Sequence, residues 1–513
     1  MHRISALWKA NIIAFISSFC VMVIELIAAR ILAPHIGVSL YTWTSIIGVI
    51  LAGIALGNYL GGKIADRYAS PLVLVAIFLI GSLLTIAILP ATKAVTSASW
   101  FSTLPVMLNF TLRVSCIFFL PAIVLSMVSP LVIKLTLADI GQTGGVVGTI
   151  YAFSTVGAIL GTFMTGFYLI LWFGVRMILW LDAGVLLLTG ILAWFSWRVP
   201  DRWRLSGKNL IIWGAIITVV VASLLLFRLR DSWQENYTRE SNYYSIRVWD
   251  SAGFKVLSLD HLIHSYVIPD QPTVLKYDYL KIFEEIVRYI TARDGITPRV
   301  LHLGGGGYSF PRYIDAIYAG SVNEVVEIDP AVTEVAHDEL GLPLDSNIKT
   351  YNQDARLFLI QRNAGDRYNI VIGDVFNDFS TPYHLTTLEF DKMVKANMEK
   401  NGVYMINIID NYSRGRYMPS FVRTLKQTFD YVYLFSPSAN WEFAGTGTFV
   451  IVATDHQIDL DDYKKTVAEN GTKRASGNPL EESGLEEYLA KRDPILLTDD
   501  YAPTDILIAP LFR

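Results

Sequence analysis

Seven apolar runs crowd the first 230 residues, near 11–32, 40–62, 72–90, 114–134, 146–172, 177–197 and 209–227. Each approaches the roughly 20 residues a helix needs to cross a bilayer. In lipid the backbone must satisfy its own hydrogen bonds, so uninterrupted runs of this length read as spanning helices. The chain has 513 residues, 52% of them hydrophobic and only 17% charged, which fits a protein partly embedded in lipid. Met1–Lys9 is polar and basic. The run after it is too long for a signal segment and has no clear cleavage site, so it reads as the first span.

Small residues recur within these runs. Gly53, Gly57 and Gly61 lie four apart, as do Gly157 and Gly161, with Gly148 and Ala152 in the turns above them. That spacing lets two helix backbones approach closely in lipid. Glu25 lies inside the first run, with Arg30 and His35 near its end, and Asp182 lies in the sixth after Arg176. An ionisable group at such depth faces a cavity or a partner. The loops carry nine Lys and Arg on the side of the N-terminus (Arg3, Lys9, Lys63, Arg67, Lys134, Arg198, Arg202, Arg204, Lys208). The other side carries six (Arg30, Lys93, Arg113, Arg176, Arg228, Arg230). Nine against six favours a cytoplasmic N-terminus of a multi-pass protein of the cell (inner) membrane. An odd number of spans then puts the C-terminal half outside the cytoplasm, against the ligand class read below.

After Phe227 the character changes. Arg228–Asn242 is polar and reads as a linker, and Tyr243–Ile268 alternates around the turn Ser251-Ala252-Gly253, the pattern of a small antiparallel sheet. From Arg299 the chain reads RVLHLGGGGYSFPRYIDAIYAGSVNEVVEID. This is strand, glycine turn, helix, strand and acid, the layout of a nucleotide-binding crossover. Gly304–Gly307 let the backbone approach a ligand, and Glu327 suits a ribose diol. Further strands at 348–351, 368–373 and 402–408 alternate with helices, so a parallel doubly wound sheet is expected. Gly304–Gly307, Glu327, Asp354 and Asp374 all fall at carboxyl ends of strands, where such sheets bind ligands. The expected architecture is a transmembrane bundle of about seven spans over 1–230, a linker and small β-sheet over 231–295, and a methyltransferase-like α/β domain over 296–513.

The net charge of −4 makes no broad electrostatic case for nucleic acid. Cys20 and Cys116 support neither a disulfide framework nor a metal site, and no metal is expected.

Residues 243 to about 453 resemble spermidine synthase, a polyamine aminopropyltransferase. The whole chain resembles that family's membrane-fused form, in which a transporter-like bundle comes first; ALGNYLGGKIADR at 55–67 is similar to a loop of major facilitator transporters. The resemblance implies decarboxylated S-adenosylmethionine as co-substrate, with S-adenosylmethionine the alternative. Gly304, Gly305, Gly306 and Glu327 then hold the nucleoside, with Asp354-Ala355 at the adenine. Pro382 closes over it, Asp260 and His264 come from the preceding hairpin, and Asp374 accepts a proton. The amine half departs from the family. Gly307 replaces an acid, Tyr277-Asp278-Tyr279 stands for Tyr-His-Glu, His264 for Gln, and Asn377 for the second acid of Asp-x-x-Asp, with Asp378 beside it. Tyr277, Asp278, Asn377 and Asp378 are the expected substrate residues, and Tyr308 and Tyr383 could join a substitute cation pocket. The resemblance also implies an amine or polyamine substrate and a homodimer. Plainer readings stand beside these: Asp354 and Asp374 as helix caps, and His264 as an ordinary core or surface histidine. A transporter or sensor that binds a nucleoside or polyamine without turnover is the competing function.

Overall fold

The computed structural model describes residues 2–37, 39–137, 143–196, 237–362, 367–376, 381–439, 441, 445–469 and 476–512. They form two compact units: the N-terminal helices with residues 240–245, and residues 237–239 with those from 246 onward.

Among the described residues of the first unit, six helices are long and apolar enough to cross a membrane. They are α1 (Leu7–Ile36), α2 (Leu40–Tyr68), α3 (Pro71–Thr96), α4 (Met107–Thr136), α5 (Thr143–Leu169) and α6 (Trp172–Phe195). The expected count was seven; the seventh run, 209–227, lies outside the described residues. Ser39 and Ser70 cap α2 and α3, each accepting from a backbone N–H three residues on, the usual remedy for a helix's unpaired first donors.

The glycine spacing works as close packing. A Cβ on Gly157 would lie 2.2 Å from the Phe15 carbonyl oxygen, and one on Gly161 2.6 Å from that of Phe19, so α5 rests on α1 backbone to backbone. Gly57 meets Ile123 of α4 in the same way, at 2.3 Å. Gly148 and Ala152 do not take part: nothing lies within 4 Å of a Cβ on Gly148, and Ala152 is exposed. Asp182 is buried in α6, where its carboxyl pairs with the Cys20 thiol of α1, a partner the sequence spacing did not suggest.

In the second unit, strands β1 (Tyr237–Glu240), β2 (Ser245–Ser251), β3 (Phe254–Leu259) and β4 (Leu262–Val267) form a small sheet in chain order. Helix α7 (Asp278–Asp294) follows and buries Leu280, Phe283, Ile286, Val287 and Ile290. It stops at Gly295, whose φ of 61° gives the left-handed turn that glycine adopts without strain.

The main sheet holds β5 (Arg299–Leu303), β6 (Val322–Val326), β7 (Lys349–Tyr351), β8 (Tyr368–Gly373), β9 (Met398–Asn411), β10 (Tyr431–Ser436), β11 (Thr446–Thr454) and β12 (Asn478–Pro479). Their order is β12-β10-β11-β9-β8-β5-β6-β7. Strands β5 to β9 are parallel, but β11 runs antiparallel to β9, and β10 antiparallel to β11 and β12. The expected all-parallel sheet is therefore mixed. The antiparallel edge follows from direct pairing of β10 with β11, whereas each parallel neighbour needs a crossover. Apolar clusters cover both faces, one including Leu301, Val371 and Phe421, the other Val300, Phe283 and Ile372. The chain leaves β5 toward β6 and β7 on one side and returns at β8 on the other. The order thus reverses between β5 and β8, which opens a crevice at their carboxyl ends.

The close helix contact yields a paired test. Gly157→Val should destabilise the detergent-solubilised protein by about 1–3 kcal/mol, the usual cost of overpacking. Gly148→Val should leave the thermal midpoint unchanged, because nothing stands in its way.

Candidate active site

The site begins at the glycine turn after β5. Gly304 has φ 95° and Gly306 φ 48°, and the turn presents its amide N–H groups to one carboxylate. Glu327, just past β6, accepts from Gly305 N at 2.8 Å and Gly306 N at 3.2 Å through Oε2, and from Asp329 N at 3.0 Å through Oε1. Burial pushes the Glu327 carboxyl above its ordinary range, against the lowering effect of these amides. Gly304 also has to be glycine for the neighbouring strand: a Cβ there would lie 2.2 Å from the Asp374 carbonyl oxygen. The Asp374 N–H in turn donates to the Leu303 carbonyl at 2.9 Å. The end of β8 and the turn after β5 are thus in backbone contact.

Asp374 projects from the end of β8 into a cavity of about 160 Å³. Tyr279 Oη donates to its Oδ2 at 2.9 Å and Asn407 Nδ2 to its Oδ1 at 2.8 Å. Burial raises the Asp374 carboxyl above the usual carboxylate range; the two hydrogen bonds offset this only in part. Both donors are neutral, and each oxygen keeps a lone pair. A carboxylate so placed is a strong base for its type. Among the described residues no backbone N–H donates to the Asp374 carboxylate, and residues 377–380, where a cap would find its partners, lie outside them.

Around Asp374 the cavity is lined by His264, Tyr277, Tyr279, Phe283, Phe310 and Phe376, with the backbone of Gly304–Gly306. The rings form a continuous series, Tyr277 to Tyr279 at 5.5 Å, Tyr279 to Phe283 at 5.6 Å and Phe283 to Phe310 at 5.7 Å. Tyr277 Oη donates to the Ile263 carbonyl at 2.8 Å. His264 lies with Nδ1 3.1 Å from the Leu262 carbonyl, and burial pulls its pKa down to about 4, so it is neutral.

Other expected residues stand elsewhere. Asp354 caps the helix Ala355–Gln361 through Oδ1, which accepts from Arg356 N and Leu357 N, and its Oδ2 meets His384 Nε2 at 2.8 Å. The His384 hydrogen bond is the main cause of its lowered pKa. Asp354, Ala355, Glu327, Asp260 and Pro382 do not line the cavity. Glu327 stays tied to it through the glycine amides. Asp260 sits buried in the β3–β4 turn at φ 51°, its carbonyl held by Arg247 at 2.9 Å. Pro382 begins a short helical turn, Tyr383–Leu385.

Of the described residues expected in a cation pocket, Tyr277 lines the cavity and the others do not. Asp278 is exposed and ion-paired to Lys281 at 2.7 Å, one turn along its own helix and away from the cavity. Tyr308 is fully buried, with its hydroxyl bonded to Thr333 and Thr350. Tyr383 is exposed, and of the proposed aromatic set only Tyr277 lines the cavity. Asn377 and Asp378 lie outside the described residues. Asn407, His384 and Ser265 escaped the sequence reading, since no local pattern marks them. Ser265 explains why position 307 has no side chain: its Oγ accepts from Gly307 N at 2.9 Å, and a Cβ on Gly307 would lie 2.5 Å from the Ser265 Cβ.

No family model matches the chain. The polyamine aminopropyltransferase of Vibrio vulnificus (strain CMCP6) is 32% identical over 110 residues, 21% of this chain and 37% of that protein. The likeness to that aminopropyltransferase thus rests on those 110 residues. An N-terminal histidine N-methyltransferase of Emericella nidulans is 30% identical over 216 residues, 39% of this chain and 38% of that protein. The chain thus spans little more than a third of the length of these relatives. A probable spermidine synthase structure from Corynebacterium glutamicum is 20% identical with a TM-score of 0.45, over 52% of this chain and 97% of that one. Of the positions where the sequence departs from the resembled pattern, Tyr279 donates to Asp374 and Gly307 donates through its N–H to Ser265.

Two outcomes follow. Gly307→Asp, which restores the acid of the family pattern, should cost about 1–3 kcal/mol through overpacking, and adding Ser265→Gly should recover most of it in chemical denaturation. Asp354→Ala should cost about 1 kcal/mol for the lost cap. The Asp354 pKa is lowered, so its contribution should be present above the unfolded value near 4 and fade as pH falls through the folded value, as a denaturation series in pH would read out.

Proposed function

We propose that the C-terminal half is a membrane-anchored transferase that moves an aminopropyl group from decarboxylated S-adenosylmethionine to an amine, with Asp374 as proton acceptor. One observation carries the proposal. A buried carboxylate of raised pKa, oriented by Tyr279 and Asn407, stands beside the glycine turn at the sheet's point of reversal. Support also comes from the aminopropyltransferase relative and from the six apolar helices.

The residues fit such a co-substrate. The glycine turn has no side chains to obstruct a nucleoside, and Glu327, already shaping that turn, has spare lone pairs for ribose hydroxyls. Asp354 and Ala355 at the end of β7 would stand toward the adenine, with Pro382 on the following loop. The co-substrate supplies an electrophilic carbon next to a sulfonium. An amine attacks only as its free base, so a group must take its proton. Asp374 pairs with the ammonium form and then takes its proton, leaving both groups neutral, while the aromatic walls keep water out. As the nitrogen–carbon bond forms and the carbon–sulfur bond breaks, alignment of the three atoms supplies much of the acceleration. Supply of the nucleoside places this half on the cytoplasmic side in our reading, and the family resemblance suggests a homodimer.

The N-methyltransferase relative supports a second reading, in which ordinary S-adenosylmethionine donates a methyl group to an amine at the same carboxylate. Product analysis with each donor and an amine panel separates the two. Asp374→Asn should lower turnover by about 10²–10⁴-fold, the usual range for a general base, with nucleoside affinity retained in calorimetry. Full activity in that variant would remove Asp374 from the mechanism. In the wild type, activity should rise with pH through the raised pKa of Asp374, so the acid limb should lie above the ordinary carboxylate range and vanish in the variant.

A further inference from the structure

The walls of the cavity suggest what kind of amine it accepts. Asp374 is the only carboxylate among the described residues that line it, and no lysine or arginine does. Tyr279 and Tyr277 have committed their hydroxyl protons, to Asp374 and to the Ile263 carbonyl. At position 307 there is no room for a side chain beside Ser265. The other polar side chains lining the space are neutral, Ser309 and Thr448 among them, and the one that touches the carboxylate is Asn407: it is buried, its Nδ2 donates to Asp374, and its Oδ1 has no partner. Much of the remaining surface is apolar, with Phe283, Phe310, Phe376, Ile372 and the tyrosine faces.

We infer that the acceptor subsite takes one amino group on an apolar body, an alkyl or aryl monoamine, in preference to an α,ω-diamine. This rests on the transferase reading of the site. A single nitrogen can donate to Asp374 and to Asn407 Oδ1, and its charge is met by one carboxylate and by ring faces. Among the described lining residues the second ammonium of a diamine meets no second counter-charge, and an unpaired buried charge is strongly disfavoured. His264, neutral with its Nδ1 at a carbonyl, supplies no counter-charge. In the transfer step the acceptor nitrogen bonds to the propyl carbon, the carbon–sulfur pair leaves on sulfur as a neutral thioether, and one nitrogen proton passes to Asp374.

The test uses the full chain in lipid nanodiscs. Calorimetry with methylthioadenosine present compares n-butylamine and phenethylamine with 1,4-diaminobutane, and mass spectrometry then looks for aminopropylated products. The monoamines should bind at least tenfold more tightly than the diamine. Tyr279→Glu, and separately Gly307→Asp combined with Ser265→Gly, each add a carboxylate and should reverse that order in variants that keep a cooperative melt. Equal or tighter binding of the diamine to the wild type, or no amine binding at all, overturns the inference. Monoamine binding without product from any acceptor would leave the subsite as inferred and remove the transferase reading.

Discussion

Glu327 and the glycine turn hold the active-site end of the sheet together. One carboxylate oxygen gathers the amides of Gly305 and Gly306, and the other takes the amide of Asp329. Buried amides left without partners would cost about 1–3 kcal/mol each, so this side chain dictates the path of the turn. The same turn lets Gly304 lie against the backbone of Asp374. The crevice geometry depends on those two contacts, and so does the position of the proposed base. Glu327 therefore sets the shape of the turn from within the fold.

The second constraint is the exchange of acids for aromatic rings and small residues. Tyr279 stands where the family pattern has a glutamate, and it orients Asp374 through a hydrogen bond. Gly307 stands where the pattern has an acid, and Ser265 fills that volume. Each exchange removes a negative charge and leaves a neutral, well-packed wall. Burial desolvates the carboxylate that remains and raises its proton affinity, while the hydrogen bonds from Asn407 and Tyr279 pull the other way.

The N-terminal unit obeys different rules. Helices α1 and α5, and α2 and α4, meet through glycines that bring backbones into van der Waals contact, a packing suited to lipid, where apolar surface gives no drive between helices. Buried polar groups there find partners across helices, as Asp182 does with Cys20 and Ser17 with the Leu125 carbonyl. Arg113 is likewise buried and reaches Asn109 and the carbonyls of Val95 and Thr96.

Much of this was legible in the sequence. Length and continuity of apolar runs specify spanning helices because lipid tolerates nothing else. Alternation of β and α segments specifies the sheet, and glycine and acid at strand ends locate its binding edge to within a few residues. Strand β6 runs Val322–Val326 and starts at a residue that pairs with Arg299 of β5, since its bounds are set by pairing with β5 and β7 and not by local apolarity. The antiparallel edge was not legible, since strand direction depends on which neighbour a strand finds. Asp354 could not be separated from a helix cap by its sequence, and Asp278 pointed outward because one step along a helix turns a side chain by about 100°. Asn407 and Ser265 come from strands distant in the chain, so only the tertiary structure could set them against Asp374 and Gly307. The sequence by itself determined which chemical groups exist and roughly at which strand ends they fall, because periodicity and glycine are local properties. The tertiary structure alone decided which of them share a cavity, since that depends on strand order, side-chain direction and the space left by residues far away along the chain.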